Sequence, residues 1–318
     1  MGEETMWAVQ YAEYGGPDVL RVGTVPRPRP SREQVLVEVA AFSINGADLL
    51  ARRGRLRVLS GFGFPKGTGV DFAGTIRERG ADVTSLRVGD RVWGYLGVKP
   101  PGAHAAAAQY VVASTDVLAV APDSTSLSEA AALPLVGLTA LKALRDALRV
   151  AAGDRVLVVG GSGGVGSTAI QIAVALGARV DAVAGSRGDV AESAGAEHVY
   201  DYRSTAPEQI SARYHVILDT SGSRVGAYRG LLTRAGRIAS VSPASFYAVM
   251  ASAVTPGPRI RVVSAGPNGE DLRWLARAVD DGSIRPIVAG SYPRNQVEDA
   301  HRDSESGPSA GKRVVTAS

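Results

Sequence analysis

A run of glycines between Gly160 and Gly166 is the segment whose residue types and spacing point most directly to chemistry. The apolar run Val156–Val159 precedes it, and a helical pattern follows it at once. Small residues in a strand-to-helix turn let the backbone approach a pyrophosphate, and the free N–H groups of the helix N-terminus attract its negative charge. The segment predicts a dinucleotide-binding loop; the alternative is a tight turn with no ligand.

The end of the next predicted strand, Arg179–Ala184, indicates which dinucleotide is bound. An NAD site usually carries Asp or Glu there, about 20 residues after the loop, to hold the ribose 2′-hydroxyl. Here Ser186 and Arg187 follow the strand instead. Asp181 lies too early, inside the strand, and Asp189 belongs to the first turn of the next predicted helix. Because an Arg can bind a 2′-phosphate through charge-assisted hydrogen bonds, the sequence predicts NADPH; the alternative for Arg187 is a solvated surface residue.

The elements that must position these residues change character along the chain. Short β-prone runs separated by Gly, Pro and Asp predict a β-rich domain before the capping box Ser126–Glu129. From Asp154 onward strands alternate with helices, which predicts a doubly wound parallel sheet of the Rossmann type. The predicted strands of this sheet are Val156–Val159, Arg179–Ala184, His198–Tyr202, Val216–Asp219 and Arg237–Val241.

The tail after Gly269 returns to two helices and a last strand, Arg313–Thr316, which lie outside the α/β pattern. We therefore expect the two ends of the chain to pack together as one discontinuous domain. The expected boundaries are 1–122 together with 265–318 for this catalytic domain, and 123–264 for the nucleotide-binding domain.

The composition excludes several classes of protein. The chain has 318 residues, of which 45% are hydrophobic and 21% charged, as in ordinary globular proteins. It contains no cysteine, which excludes disulfides, thiolate nucleophiles and zinc sites built on Cys. Lys and Arg number 35 against 31 Asp and Glu, so the net charge is 35 − 31 = +4 and is scattered along the chain. This balance argues against nucleic acid as a partner.

Two stretches without charge, Val156–Ala178 and Ile238–Pro258, are long enough to test as membrane spans. Glycines and serines interrupt the first, and prolines and serines interrupt the second, whereas a spanning helix needs about 20 mostly apolar residues. The N-terminus is acidic and is not followed by an apolar run, so it lacks the pattern of a secretory signal. These features predict a cytoplasmic protein with no membrane partner.

Seven motifs, among them part of the glycine loop, together resemble nearly end to end the zinc-independent quinone oxidoreductase branch of the medium-chain dehydrogenase/reductase superfamily. They are Tyr14–Leu20, Ser43–Asp48, Gly89–Val92, Ala130–Pro134 with Gly137–Ala140, Gly163–Gly166, Ala300–Arg302 and Gly311–Lys312.

The resemblance implies a GroES-like β-barrel catalytic domain beside the Rossmann domain, with the active site in the cleft between them. It implies NADPH as cofactor and a quinone or other α,β-unsaturated carbonyl as the small-molecule substrate. Zinc-dependent relatives place Cys where Asn45 stands, so no metal is expected. A homodimer is also implied, formed through the edge of the Rossmann sheet near Arg259–Ser264.

The resemblance also implies positions around the cofactor. Those near the nicotinamide are Asn45, Thr139, Val241, Val263 and Ser264; those at the pyrophosphate are Gly163, Gly164 and Val165; those around the 2′-phosphate are Ser186, Arg187 and Tyr202. Each of three side chains has a structural alternative. Asn45 can cap a loop, Thr139 can bond to its own helix, and Tyr202 can pack as an ordinary strand residue.

The implied reaction asks little of the protein beyond placement and charge stabilisation. As hydride reaches the β-carbon of an enone, negative charge develops on the carbonyl oxygen, and a donor must meet it. The candidates are a backbone N–H, the amide of Asn45 and the phenol of Tyr95, while water can protonate the enolate carbon. His104 is the only other plausible acid. Two loops should border the acceptor pocket: the arginine-rich one, Arg52–Arg57, and Val98–Ala108.

Three functions remain open at this point. The first is an NADPH-dependent quinone or enone reductase. The second is a same-fold enoyl reductase of a biosynthetic, polyketide-like pathway, and the third is a non-enzymatic NADPH-binding protein.

Overall fold

The computed structural model describes residues 4–61, 63–97, 105–306 and 310–317. The N-terminal part is a β-barrel, as the β-prone runs predict. Its helices and strands are β1 (Thr5–Tyr11), β2 (Arg21–Pro26), β3 (Gln34–Ile44), α1 (Gly46–Arg52), α2 (Arg57–Ser60), β4 (Lys66–Gly67), β5 (Asp71–Arg79), β6 (Arg91–Tyr95), β7 (Tyr110–Ser114) and β8 (Leu118–Val120).

The middle of the chain forms the α/β part. Its elements are α3 (Leu127–Ala130), α4 (Pro134–Leu141), β9 (Arg155–Val159), α5 (Gly164–Ala175), β10 (Arg179–Ala184), α6 (Gly188–Ser193), β11 (His198–Asp201), β12 (Tyr214–Asp219), α7 (Val225–Tyr228), β13 (Leu232–Ser240), α8 (Phe246–Val254) and β14 (Ile260–Val262). The last four elements are α9 (Gly269–Asp280), β15 (Val288–Pro293), α10 (Val297–Ser306) and β16 (Lys312–Thr316).

The α/β part is a six-stranded parallel sheet in the order β11-β10-β9-β12-β13-β14. This is the doubly wound arrangement, in which strands are added toward one edge from β9 to β11 and toward the other edge from β12 to β14, and ligands bind beyond the carboxyl ends of the strands. The apolar run of β9 is buried on both faces, as a central parallel strand requires. The predicted Rossmann fold is therefore confirmed, although β13 begins at Leu232 rather than at Arg237.

The barrel consists of a three-stranded sheet, β2-β1-β4, and a seven-stranded sheet in which β3 is central. The C-terminal strand β16 pairs antiparallel with β3 and parallel with β15, so the two ends of the chain share one sheet. The barrel is the predicted GroES-like domain. The boundaries at 122 and 264 stay a prediction.

The junction between the two parts is continuous packing. Its core includes Trp93 and Tyr95 of the barrel together with Leu138 of α4 and Leu275 of α9, all buried. Helix α3 begins at the predicted capping box: the Glu129 N–H donates to Ser126 Oγ, and the Ser126 N–H donates to the Glu129 carboxylate. Among the described residues, no helix has the length and apolar character needed to cross a bilayer.

Candidate active site

A cavity of about 450 Å³ lies beyond the carboxyl ends of β9, β10 and β12. The glycine loop forms its floor, and the segment after β10 forms one wall. The structure thereby brings four predicted cofactor residues into one cavity: Gly163, Ser186, Arg187 and Tyr202. The opposite wall is formed by residues that no motif indicated, namely Thr220, Ser221, Ser223, Arg224 and Tyr228.

The glycine loop needs glycine for steric reasons. Gly160 has φ of +86°, and a Cβ there would meet Thr220 Oγ1 at 2.5 Å. A Cβ on Gly166 would lie 2.0 Å from the carbonyl oxygen of Gly160, so the first turn of α5 can pack on the loop only without a side chain. Because α5 begins at Gly164 immediately after this turn, its free N–H groups lie at the floor of the cavity.

The end of β10 carries no carboxylate toward the cavity. Asp181 is buried inside the strand, where it accepts hydrogen bonds of 2.8 Å from Tyr214 Oη and 2.8 Å from Arg155 Nη2. Arg187 lies at the cavity with its side chain 45% exposed, and its Nε and Nη2 each lie 3.0 Å from Asp189. The hydrogen bond from Arg187 holds the pKa of Asp189 below its usual range. Among the described residues at the end of β10, the carboxylate beside Arg187 is therefore that of its own ion-pair partner, Asp189.

Tyr202 follows β11 and is exposed rather than packed as a strand residue. Its ring covers Gly185, where a Cβ would lie 2.8 Å from the ring. The glycine therefore lets the phenol ring approach the end of β10, beside Ser186 and Arg187. The cofactor role implied for Tyr202 stays a prediction.

Arg224 is the charged residue on the opposite wall. It adopts a left-handed conformation with φ of +53°, which is uncommon for a residue with a side chain. Its Nη2 lies 3.1 and 3.2 Å from the carboxylate oxygens of Glu208. The loop that carries it is shaped by buried Asp219, which accepts from Ser240 Oγ at 2.6 Å and from the Gly222 N–H. The general rule that ligands lie beyond the carboxyl ends of parallel strands is the signal that points to this loop.

A second group of polar residues lies at the junction of the barrel and the glycine loop. We call it the Asn45 cluster, and its members, all buried, are Ser43, Asn45, Asp48, Asp71 and Lys312. Asn45 is the residue before α1, and its backbone N–H donates to Asp48 Oδ2 at 2.8 Å. Asn45 thus occupies the N-cap position of α1, but its side chain makes no hydrogen bond to the backbone of that helix.

The amide of Asn45 is fully engaged within the cluster. Its Nδ2 lies 3.0 Å from Asp71 Oδ1 and 3.2 Å from the carbonyl oxygen of Ser43. Its Oδ1 accepts a hydrogen bond of 2.6 Å from Lys312 Nζ. An amide has two N–H donors, so both already have acceptors. Donation from Asn45 to a substrate oxygen stays a prediction, and it requires the amide to give up one of these partners.

The Asn45 cluster holds two carboxylates and one ammonium away from water. Burial, with the nearby Asp71 carboxylate, raises the pKa of Asp48 to about 7. Burial also raises the pKa of Asp71 and lowers the pKa of Lys312. Each shift reflects the cost of a charge in a low-dielectric site, and the opposite charges in the cluster reduce that cost.

The remaining predicted residues lie around the junction and do not line the 450 Å³ cavity. Thr139 Oγ1 donates to the Leu135 carbonyl oxygen at 2.7 Å, so it bonds to its own helix and keeps only its acceptor capacity. Tyr95 is buried at the end of β6, opposite Asp71 in the sheet. The other five are buried Val263, half-buried Val241 and Val165, exposed Ser264, and Gly164 in the first turn of α5.

The expectations for the two acceptor-side loops meet different outcomes. Arg52 is buried and pairs with Glu305 of α10, as does Arg53 at 2.9 Å. The reason is that α1 turns this face toward α10 rather than toward the cleft. His104 and the segment Val98–His104 lie outside the described residues, while Ala106–Ala108 are buried.

The carboxylates of the Asn45 cluster are engaged with neighbouring groups. The described part of the chain holds no group of three His, Cys, Asp or Glu side chains placed to bind a metal ion. The two carboxylates of the Asn45 cluster already face the ammonium of Lys312 and accept hydrogen bonds from their neighbours.

A Rossmann sheet joined to a GroES-like barrel, with a cavity beside the glycine loop at the carboxyl ends of its strands, defines a nicotinamide-dependent oxidoreductase. Family models agree: residues 31–123 match the alcohol dehydrogenase GroES-like domain, and residues 194–315 match a model described as zinc-binding dehydrogenase. The chain belongs to the zinc-independent quinone oxidoreductase branch of the medium-chain dehydrogenase/reductase superfamily.

Relatives cover nearly the whole chain. A 2-methylene-furan-3-one reductase of Solanum lycopersicum is 32% identical over 98% of this chain and 79% of its own. An NADPH-dependent alkenal/one oxidoreductase of Arabidopsis thaliana is 31% identical over the same shares, 98% and 79%. Among solved structures, the quinone oxidoreductase from Coxiella burnetii superposes with a TM-score of 0.89 at 31% identity, covering 99% of this chain and 100% of that one. Oxidoreductase chemistry on a small molecule follows from this kinship.

Proposed function

We propose that this protein is an NADPH-dependent reductase that adds hydride to the β-carbon of a quinone or another α,β-unsaturated carbonyl. One observation carries the proposal. The cavity wall after β10 presents Ser186, Arg187 and Tyr202, while the one acid of that strand, Asp181, is buried elsewhere. A 2′-phosphate therefore meets a planar cation and a hydroxyl there. The names of the relatives above support the choice of acceptor.

The residues of this chain have distinct tasks in the proposed reaction. Bound NADPH supplies a hydride, which forms a C–H bond at the β-carbon while the π-electrons of the enone move to the carbonyl oxygen. The glycine loop and the start of α5 bind the pyrophosphate, and Arg187 with Ser186 binds the 2′-phosphate. Tyr95 and Asn45 are the side chains proposed near the developing negative charge, and water supplies the proton to the α-carbon. Thr139, Val241, Val263 and Ser264 border the nicotinamide in this proposal.

No metal takes part in the proposed reaction, because the group that would oppose the substrate's developing charge is a hydrogen-bond donor rather than a Lewis acid.

The protein also works as a homodimer in this proposal. β14 is an edge strand of the parallel sheet, and an apolar surface beside it is exposed. Its members are Phe246, Tyr247, Met250, Val254 and Val262. Pairing two such edges covers both the unpaired backbone and the apolar side chains.

A panel of acceptors, followed by the absorbance of NADPH, tests the proposal. Oxidation of NADPH with simple quinones or short enones is the expected result. Turnover confined to enoyl thioesters on a carrier would indicate the biosynthetic alternative. NADPH binding without turnover of any acceptor would indicate a cofactor-binding protein that is not an enzyme.

A further inference from the structure

Lys312 is in contact with both halves of the site. Its Nζ donates to the Ile44 carbonyl oxygen at 2.6 Å and to Asn45 Oδ1 at 2.6 Å, both in the barrel. Its stem packs on the glycine loop, because a Cβ on Gly164 would lie 2.7 Å from the Lys312 Cδ. The preceding residue, Gly311, pairs with Gly163, and its N–H donates to the Ser162 carbonyl oxygen at 2.9 Å.

We propose that Lys312 is a positioning residue for hydride transfer: its ammonium fixes the side chain of Asn45 and, through β16, sets the distance between that side chain and the pyrophosphate loop. The inference rests on the proposed function, since it gives Lys312 a part in that reaction. Lys312 itself touches neither hydride donor nor acceptor in this account.

The direction of the hydrogen bonds shows why a cation is needed. An ammonium has only donors, so the atom of Asn45 that faces it must be the oxygen. The NH2 group is then directed to Asp71 and to the Ser43 carbonyl oxygen. A flipped amide would place its N–H groups against the ammonium. Lys312 therefore allows one orientation of this amide, and the orientation is held rigidly because the surrounding atoms are buried.

Lys312 also balances buried charge, and this second task must be separated from the first. Replacing Lys312 by Met leaves the carboxylates of Asp48 and Asp71 without their cation, which destabilises the fold. Replacing Asp71 by Asn in the same chain removes one of these charges. The new amide at position 71 lies on the side of the Asn45 NH2 group, so Asn45 Oδ1 in its wild-type orientation still has no donor. Stability and positioning are thus expected to respond differently in the double variant.

The experiment compares wild type, Lys312→Met, Lys312→Met/Asp71→Asn and a control, Val315→Ala. Val315 is buried three residues later in the same strand and belongs to the core of the barrel. Three quantities are measured on each full-length protein: the urea midpoint of unfolding, the Kd of NADPH, and the single-turnover rate constant of hydride transfer to the best acceptor of the panel. The double variant decides the question if Lys312→Met alone does not fold.

We expect Lys312→Met to lower the urea midpoint and the double variant to recover most of that loss. The hydride-transfer rate constant should stay at least about tenfold below wild type in both, since misplacement of about 1 Å has effects of that size or larger. The Kd of NADPH should change by less than about threefold, and Val315→Ala should lower only the midpoint.

Two results would overturn the inference while leaving the proposed function intact. In the first, the double variant regains both the wild-type urea midpoint and the wild-type rate constant of hydride transfer. Lys312 would then act only by neutralising charge. In the second, the Kd rises as much as the rate falls, so that the effect is on binding. A wild-type protein that reduces no acceptor would instead refute the proposed function, and the inference with it.

Discussion

Substitution of Arg187 by Ala should raise the KM for NADPH by about tenfold, a factor at the lower end for loss of a charge-assisted hydrogen-bonded contact. Two features of the structure explain why the expected rise in KM is at the lower end of the range. The side chain is 45% exposed, so water and salt weaken the contact, and its two donors are shared with Asp189 at 3.0 Å. The kinetics with NADH should be almost unchanged, because that cofactor lacks the phosphate. Steady-state measurements with both cofactors at one fixed acceptor concentration test this.

The chain offers a matched control in Arg203. It too pairs with a carboxylate two positions away, Asp201, and its side chain is 54% exposed, but it does not line the cavity. Arg203→Ala should therefore leave both KM values near wild type. Equal weakening of NADPH and NADH by Arg187→Ala, or a wild-type preference for NADH, would refute the assignment of this wall to the 2′-phosphate.

Three further predictions concern the opposite wall, the metal and the assembly. Arg224→Ala should raise the KM of NADPH and NADH by a similar factor, about threefold, because its wall faces the part that both cofactors share; a loss confined to NADPH would contradict this. Activity should survive dialysis against EDTA, and a loss that zinc restores would show that a metal is required. Light scattering should give twice the chain mass of 32.9 kDa, and Val262→Asp, on the exposed edge strand, should give monomers; a wild-type monomer at micromolar concentration would contradict the dimer.

The nucleotide-binding half of the site was predictable from the sequence because its determinants are local. The turn from β9 into α5 is encoded by adjacent glycines, and β10 has the bounds that its apolar pattern predicts. The position of Asp181 inside that strand follows from the same pattern, and so does the missing carboxylate at its end.

The Asn45 cluster could not be predicted in the same way. Asn45 and Lys312 are 267 positions apart, and only the pairing of β16 with β3 brings them together. A motif match marks Lys312 as part of the C-terminal pattern, but nothing local shows that its ammonium reaches Asn45. Arg224 was missed for a related reason: it lies in a left-handed turn that no periodicity encodes.

The side-chain alternatives depended on hydrogen-bond partners, which spacing does not determine. The hydroxyl of Thr139 finds the Leu135 carbonyl oxygen one turn earlier in its own helix. In the arginine-rich loop expected beside the acceptor, the guanidinium of Arg52 pairs instead with Glu305 in α10. In both cases the polar side chain bonds to a nearby backbone or charged group that the sequence pattern does not indicate.

Transfer of a labelled hydride distinguishes reduction of the enone C=C bond from reduction of its carbonyl group. The protein is incubated with NADPH that carries deuterium at the transferred position of C4 and with a short enone, and the product is analysed by NMR and mass spectrometry. We expect one deuterium at the β-carbon of a saturated ketone, with the α-carbon proton supplied by water. Deuterium on the carbonyl carbon of an allylic alcohol, or label transfer from NADH in preference to NADPH, would contradict it.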